Sequence, residues 1–107
     1  MEVITNDRLK CVEALAGLYD VIDPEIGLNV VDLGLIYQID FDEVKKCVAS
    51  SMTLTTQFCP MGESITASVK QSLAETFSEY EIIVNLTFQQ AWNADHISAE
   101  GQKFLNR

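Results

Sequence analysis

Cys59 is the residue of this sequence best placed to do chemistry. It stands at the end of a predicted strand and directly before Pro60, where a helix is predicted to start. Proline fits a first helical turn because its missing N–H would have had no partner there. The free N–H groups of Met61, Gly62 and Glu63 then point back toward the sulfur. The partial positive charge of a helix start favours a thiolate over a thiol. A thiolate binds soft metals or attacks electrophiles. Glu63, in the first turn, and the protein's negative charge act the other way and raise a thiol pKa. The plainer alternative is a buried cysteine used as a small apolar residue.

The other reactive residue types carry weaker signals. Asp23-Pro24-Glu25 sets two carboxylates across a rigid proline. They could act as oxygen ligands or handle a proton. They could equally be a turn, with Asp23 as cap, Pro24 in first position and Glu25 near free N–H groups. Thr55 and Thr56 close a predicted strand just ahead of Cys59, so their hydroxyls could bond a ligand or the sulfur. Strand propensity explains threonine there as well. Cys11 and Cys47 read as packing residues. Asp32 is a candidate loop cap. His96 is the single histidine and reads as a packed or surface residue near Trp92. No phosphate-binding glycine loop, dinucleotide fingerprint or serine nucleophile elbow is present.

The elements that must position these residues follow from periodicity. Residues Asn6 to Val21 read as a helix, capped by Asn6 or Asp7, with Cys11, Leu15, Leu18 and Ile22 on its apolar face and Leu9, Val12, Ala16 and Tyr19 widening it. Asp23-Pro24 ends it, because a residue before proline leaves the helical region. A loop to Asn29 follows. Leu35 to Phe41 alternates as a strand with Leu35, Tyr37, Ile39 and Phe41 on one face. Asp42-Glu43 turns the chain into a second strand, Cys47 to Thr55, with Val48, Met52 and Leu54 inward and Ser50 as the exception. So short a link predicts an antiparallel hairpin. Pro60 to Phe77 reads as a helix with Ile65, Val69, Leu73 and Phe77 as its stripe. Glu81 to Phe88 reads as a third strand. Ser98 to Leu105 reads as a short helix capped by Ser98 and weakened by Gly101. The order α-β-β-α-β-α predicts an α+β two-layer sandwich, with the helices on one face of a small mixed sheet. Three strands leave two edges, to be covered by a further strand or by a second subunit in a homodimer.

Composition bounds the function. The chain of 107 residues suits one domain, residues 1–107. Seven Lys and Arg stand against 16 Asp and Glu, a formal charge of −9 spread over short acidic runs. Such a surface repels phosphate backbones, so nucleic acid is an unfavoured partner. No apolar run reaches the length of a membrane span, and residues 1–7 lack the pattern of a signal peptide. Three widely spaced cysteines form neither a disulfide framework nor a Cys-x-x-Cys knuckle, which points to reduced thiols and a cytoplasmic setting.

Two stretches place these residues in a wider pattern. They are Asp23-Pro24-Glu25-Ile26-Gly27-Leu28-Asn29-Val30-Val31-Asp32-Leu33-Gly34-Leu35-Ile36-Tyr37 and Met52-Thr53-Leu54-Thr55-Thr56-Gln57-Phe58-Cys59-Pro60-Met61-Gly62. With Trp92 and Ile97-Ser98-Ala99-Glu100-Gly101 near the end, the chain resembles the SufT/PaaD-like family of iron–sulfur assembly proteins over nearly its whole length. The resemblance implies an α+β fold, a role in maturing iron–sulfur proteins or carrying metal–sulfur clusters, and a pocket of Asp23, Glu25, Ile26, Thr55, Thr56 and Cys59. Similar proteins often carry prolines before the tryptophan, where this chain has Phe88-Gln89-Gln90-Ala91. Without them that loop is expected to be less rigid.

The expectation is therefore an accessory factor rather than a turnover enzyme. Cys59 would be a transient ligand for a cluster or iron, with none stably bound. Its partners would be assembly proteins and client apo-proteins. One thiolate cannot hold a cluster, which takes about four soft ligands, so a second subunit, glutathione or a client would complete the set. Two alternatives stay open. One is a metal-free adaptor whose pocket binds a partner of the assembly machinery or an oxygenase complex. The other is a thiol enzyme with His96 as its base.

Overall fold

The computed structural model describes residues 3–24, 26–55, 62–88, 92 and 96–105. Its elements in chain order are β1 (Ile4–Thr5), α1 (Arg8–Leu18), β2 (Ile36–Asp42), β3 (Cys47–Met52), α2 (Gly62–Thr76), β4 (Glu81–Leu86) and α3 (Ala99–Leu105). The four strands lie in the spatial order β1-β2-β3-β4. The hairpin β2–β3 is antiparallel, while β1–β2 and β3–β4 are parallel, so the sheet is mixed. The α2 crossover supplies the length that a parallel β3–β4 connection needs.

Periodicity predicted the core on α2 and β3. Ile65, Val69 and Leu73 are buried along α2, and Phe77 continues the stripe just past its end. They meet Val48, Met52 and Ile82 from the sheet, with Ile39 and Phe41 from β2. The Phe77 ring packs edge-on between Phe41, at 5.2 Å, and Tyr80, at 5.8 Å. Ser50 is fully buried among these residues, at the position where the alternation called for an apolar side chain. Each buried Val, Leu or Ile contributes about 1.5–3 kcal/mol by leaving water.

The sheet differs from the sequence reading at its first edge. Ile4 and Thr5 pair in parallel with Gln38 and Ile39, giving β-α-β-β-α-β-α in place of α-β-β-α-β-α. Two residues carry no periodicity. Their strand exists because β2 offers an edge, and because the Asn6 side chain bonds both backbone groups of Phe41, at 2.9 Å each. Asp7 therefore caps α1, accepting from the Lys10 N–H at 3.1 Å.

Helix α1 is shorter than predicted; of its predicted stripe Cys11 and Leu18 are buried and Leu15 packs partly against the core, but the wider face is not covered. Cys11, Ala14 and Leu18 are inward, whereas Leu9, Val12, Tyr19 and Ile22 are largely exposed. Helices α1 and α2 pack against each other on one face of the sheet. Tyr37 also departs from the reading. A register shift between Ile36 and Gln38 breaks the alternation of β2, so Ile36 is buried and Tyr37 turns half out of the core.

Candidate functional site

The site is built from two chain segments that meet at one end of the sheet. The first is the loop from Val21 to Leu35. Ile22 and Asn29 pair across its neck, and the Val30 N–H donates to Val21 O at 3.0 Å. Inside the neck, the Asp23 N–H donates to Leu28 O at 2.9 Å, and Asp23 O accepts from the N–H groups of Ile26 and Gly27. Gly27, at φ +83°, completes this turn in the left-handed region where a Cβ would be strained. The turn leaves Asp23 almost fully buried and Ile26 partly buried against the core.

The second segment is the exit from β3. The Thr53 N–H donates to Leu35 O at 2.9 Å, and the Leu35 N–H donates to Val30 O at 3.1 Å. The loop carrying Asp23 and the strand exit carrying Thr55 are thus joined by consecutive backbone bonds. Thr53 and Leu54 are buried and Thr55 is half-buried. Gly62, the first residue of α2, sits so close to Leu54 that a Cβ there would lie 2.7 Å from its Cδ1. The chain on the two sides of residues 56–61 is therefore in contact.

Of the residues expected in the pocket, Asp23 and Ile26 lie in the loop and Thr55 on the β3 exit that the Thr53–Leu35 bond ties to it. Glu25, Thr56 and Cys59 lie outside the described residues, as do Pro60 and positions 89–91. Among the described residues, no group of three or more His, Cys, Asp or Glu side chains is arranged to hold a metal ion. Cys11 is buried in α1 and Cys47 is half-buried at the start of β3, at the opposite end of that strand from Thr55. Burial pushes the Cys11 thiol up, Asp7 adds to the shift, and the Thr5 hydroxyl opposes it. Cys11 is thus held as a neutral packing thiol.

The C-terminal residues Trp92, His96 and Ser98, each noted in the sequence, prove to cover this end of the loop. The Trp92 Nε1–H donates to Leu33 O at 2.7 Å. His96 lies directly on Gly34, and its ring stands edge-on to Tyr37 with centroids 6.2 Å apart. His96 Nδ1 and Tyr37 Oη are both buried and make no hydrogen bond of good geometry among the described residues. Burial raises the Tyr37 phenol pKa, opposed by the neighbouring Thr53 side chain. His96 is therefore packed, as its surroundings in the sequence suggested.

Ser98 caps α3, accepting from the Gly101 N–H at 3.0 Å, while its hydroxyl donates to Asp32 Oδ1 at 2.8 Å. Asp32 and Ser98 each read as a local cap in the sequence. Nothing there joined them across 66 positions. Gly101 is a contact rather than a weakness, since a Cβ there would meet Leu28 at 2.9 Å.

Several open concavities occur among the described residues, one of about 520 Å³ beside Gly27, Leu28 and Phe104. Another, of about 630 Å³, lies between α1, at Val12, Leu15 and Tyr19, and the residues Asp32, Gly34, His96 and Ser98, and one of about 590 Å³ lies beside Cys47 and Asp40. None of these includes Asp23, Ile26 or Thr55. No helix among the described residues is long and apolar enough to cross a membrane.

Comparison with known proteins bears on the family and the fold. A model of the family described as iron–sulfur cluster assembly protein matches residues 12–82. The chain is 41% identical over 78 residues to the Fe-S protein maturation auxiliary factor SufT of Staphylococcus aureus, covering 73% of this chain and 88% of that protein. It is 39% identical over 98 residues to an Fe-S protein maturation auxiliary factor of Porphyromonas gingivalis, covering 91% and 92%. Its fold matches the crystal structure of a domain of unknown function from Bacillus anthracis with a TM-score of 0.82 and 34% identity, over 89% and 90% of the two chains.

Proposed function

The chain belongs to the iron–sulfur cluster assembly protein family, and from that premise we propose that it is an auxiliary factor in the maturation of iron–sulfur proteins. It takes a cluster, or iron, as transient cargo and passes it to apo-protein clients through Cys59. The observation that carries this reading is the match, over 73% and 91% of this chain, to relatives named as maturation auxiliary factors. The geometry is consistent with it. The loop carrying Asp23 and Ile26 is tied by backbone bonds to the β3 exit carrying Thr55, and the chain on the two sides of the segment holding Cys59 is in contact.

In this reading the cargo is held incompletely by design. A single thiolate supplies about one of the four soft ligands a cluster takes, so the rest come from a second copy, a small thiol or the client. Incomplete ligation lets the cargo leave. Thr55 and Thr56 supply hydrogen bonds to the bound sulfur, and Asp23 and Glu25 set the polarity of the pocket. The factor works in the cytoplasm alongside assembly proteins and is not itself a turnover enzyme.

The test is anaerobic reconstitution with iron and sulfide on wild type and Cys59→Ser, followed by metal analysis and transfer to an apo-ferredoxin. Uptake and transfer by the wild type, with loss of both in Cys59→Ser, is the expected result. Equal behaviour of the two proteins refutes the role of Cys59. Absence of uptake in both refutes the carrier and leaves the metal-free adaptor.

A further inference from the structure

We infer that the C-terminal residues act as a positioning clamp for the candidate site, with Ser98 and Asp32 as its central pair. Three consecutive loop residues are gripped by this part of the chain. Asp32 is bonded twice by Ser98: the Ser98 N–H donates to Asp32 O at 2.7 Å, and the hydroxyl donates to Oδ1 at 2.8 Å. Leu33 O accepts from the Trp92 indole. Gly34 lies under His96, so closely that a Cβ would be 2.2 Å from His96 O.

Asp32 is itself fixed in orientation. Its Oδ2 accepts from Asn29 Nδ2 at 2.7 Å, and its N–H donates to Asn29 Oδ1 at 2.8 Å. Both carboxylate oxygens are therefore committed, one to its own loop and one to Ser98. A charged acceptor makes these bonds stronger than neutral ones.

The grip reaches both arms of the site through backbone bonds. On one side, α3 presses Gly101 against Leu28, whose carbonyl accepts the Asp23 N–H. On the other, the gripped residues run into Leu35, whose carbonyl accepts the Thr53 N–H just before Thr55. The clamp thus sets how the Asp23 loop and the β3 exit stand to each other. Ser98 and Asp32 touch no cargo in this scheme. They act through the loop, and the functional part of the inference rests on the carrier reading.

The experiment is residue-resolved amide exchange on wild type, Ser98→Ala and Ser98→Thr, combined with iron and sulfide loading. Ser98→Ala removes the hydroxyl's bonds to Asp32 and to the Gly101 N–H, and exchange at Asp23 and Thr53 is expected to rise about tenfold or more, since one good hydrogen bond alone carries about that factor in an opening equilibrium. The Glu81 N–H donates to Lys46 O at the far end of the sheet and is expected to stay unchanged. Ser98→Thr keeps the hydroxyl and is expected to restore both exchange and loading. Equal acceleration at all three amides would mean general destabilisation and overturns the clamp, as does no acceleration at Asp23 and Thr53. Unchanged loading in Ser98→Ala, with faster exchange at the two site amides, overturns its functional role. No loading by the wild type overturns the carrier reading instead, and the exchange result still decides the clamp.

Discussion

Gly34→Ala and Gly27→Ala form a matched pair that isolates the close approach of the C-terminal residues. Both glycines have left-handed backbones, at φ +73° and φ +83°. An L-residue in that region costs about 1–2 kcal/mol, which is common to the two substitutions. They differ in what a methyl group would meet. At Gly27 nothing lies within 4 Å of the new Cβ, whereas at Gly34 it would stand 2.2 Å from His96 O and 2.8 Å from His96 Cβ. His96 must retreat by roughly 1 Å to restore van der Waals distance. Its neighbours then lose the Trp92–Leu33 bond and the two Ser98–Asp32 bonds. At about 1 kcal/mol for each bond, this adds about 3 kcal/mol to the backbone term. Gly34→Ala is expected to lose about 4–5 kcal/mol and Gly27→Ala about 1–2, against a typical domain stability of about 5–15. Urea unfolding followed by circular dichroism measures both losses. Fluorescence of Trp92, the single tryptophan, reports whether the indole has left Leu33. Equal losses for the two variants, with an unchanged Trp92 spectrum, would refute the argument from close approach.

Two further predictions concern the core. Ser50 is fully buried, and its hydroxyl has no hydrogen-bond partner among the described residues, so Ser50→Ala should raise stability by about 1 kcal/mol in the same urea titration; a loss would mean that the hydroxyl is bonded in the folded protein. Cys11 has a raised thiol pKa, caused first by burial. Its contribution to stability is fully present below the unfolded thiol value of 9.0 and is lost as pH rises from there through the folded value. Wild type should therefore lose stability more steeply than Cys11→Ala above that pH, and parallel curves would show that Cys11 does not titrate differently on folding.

What could be read from the sequence depended on whether the cause was local. The stripe of α2 was legible because Ile65, Val69, Leu73 and Phe77 repeat every four residues and all four are buried. The β2–β3 hairpin was legible from its short link, which the Asp42 side chain organises by accepting from the N–H groups of Val44 and Lys45. The buried face of α1 was legible only in part, through Cys11 and Leu18. Leu9 and Val12 are as apolar as any core residue, yet they are 80% and 66% exposed, because helix packing runs through the small Ala14 instead. Strand β1 was invisible because two residues form it only against a distant edge. At the candidate site, the sequence pointed to Asp23, Glu25, Ile26, Thr55, Thr56 and Cys59; the fold ties the loop from Val21 to Leu35 to the β3 exit, and Glu25, Thr56 and Cys59 lie outside the described residues. It did not reveal the clamp, because the pairing of Ser98 with Asp32 exists only after the chain has folded back across the loop.

That long reach gives the domain a fixed order of completion during its synthesis. Residues 96–105 are made after every segment they brace. The strands and both long helices can assemble from chain already made, while the loop from Val21 to Leu35 waits for its clamp. At roughly 5–20 residues per second on the ribosome, the wait is several seconds. Through that interval Asp32, Leu33 and Gly34 lack the partners that Ser98, Trp92 and His96 supply, so on the proposed reading the loop is braced only after the core has formed.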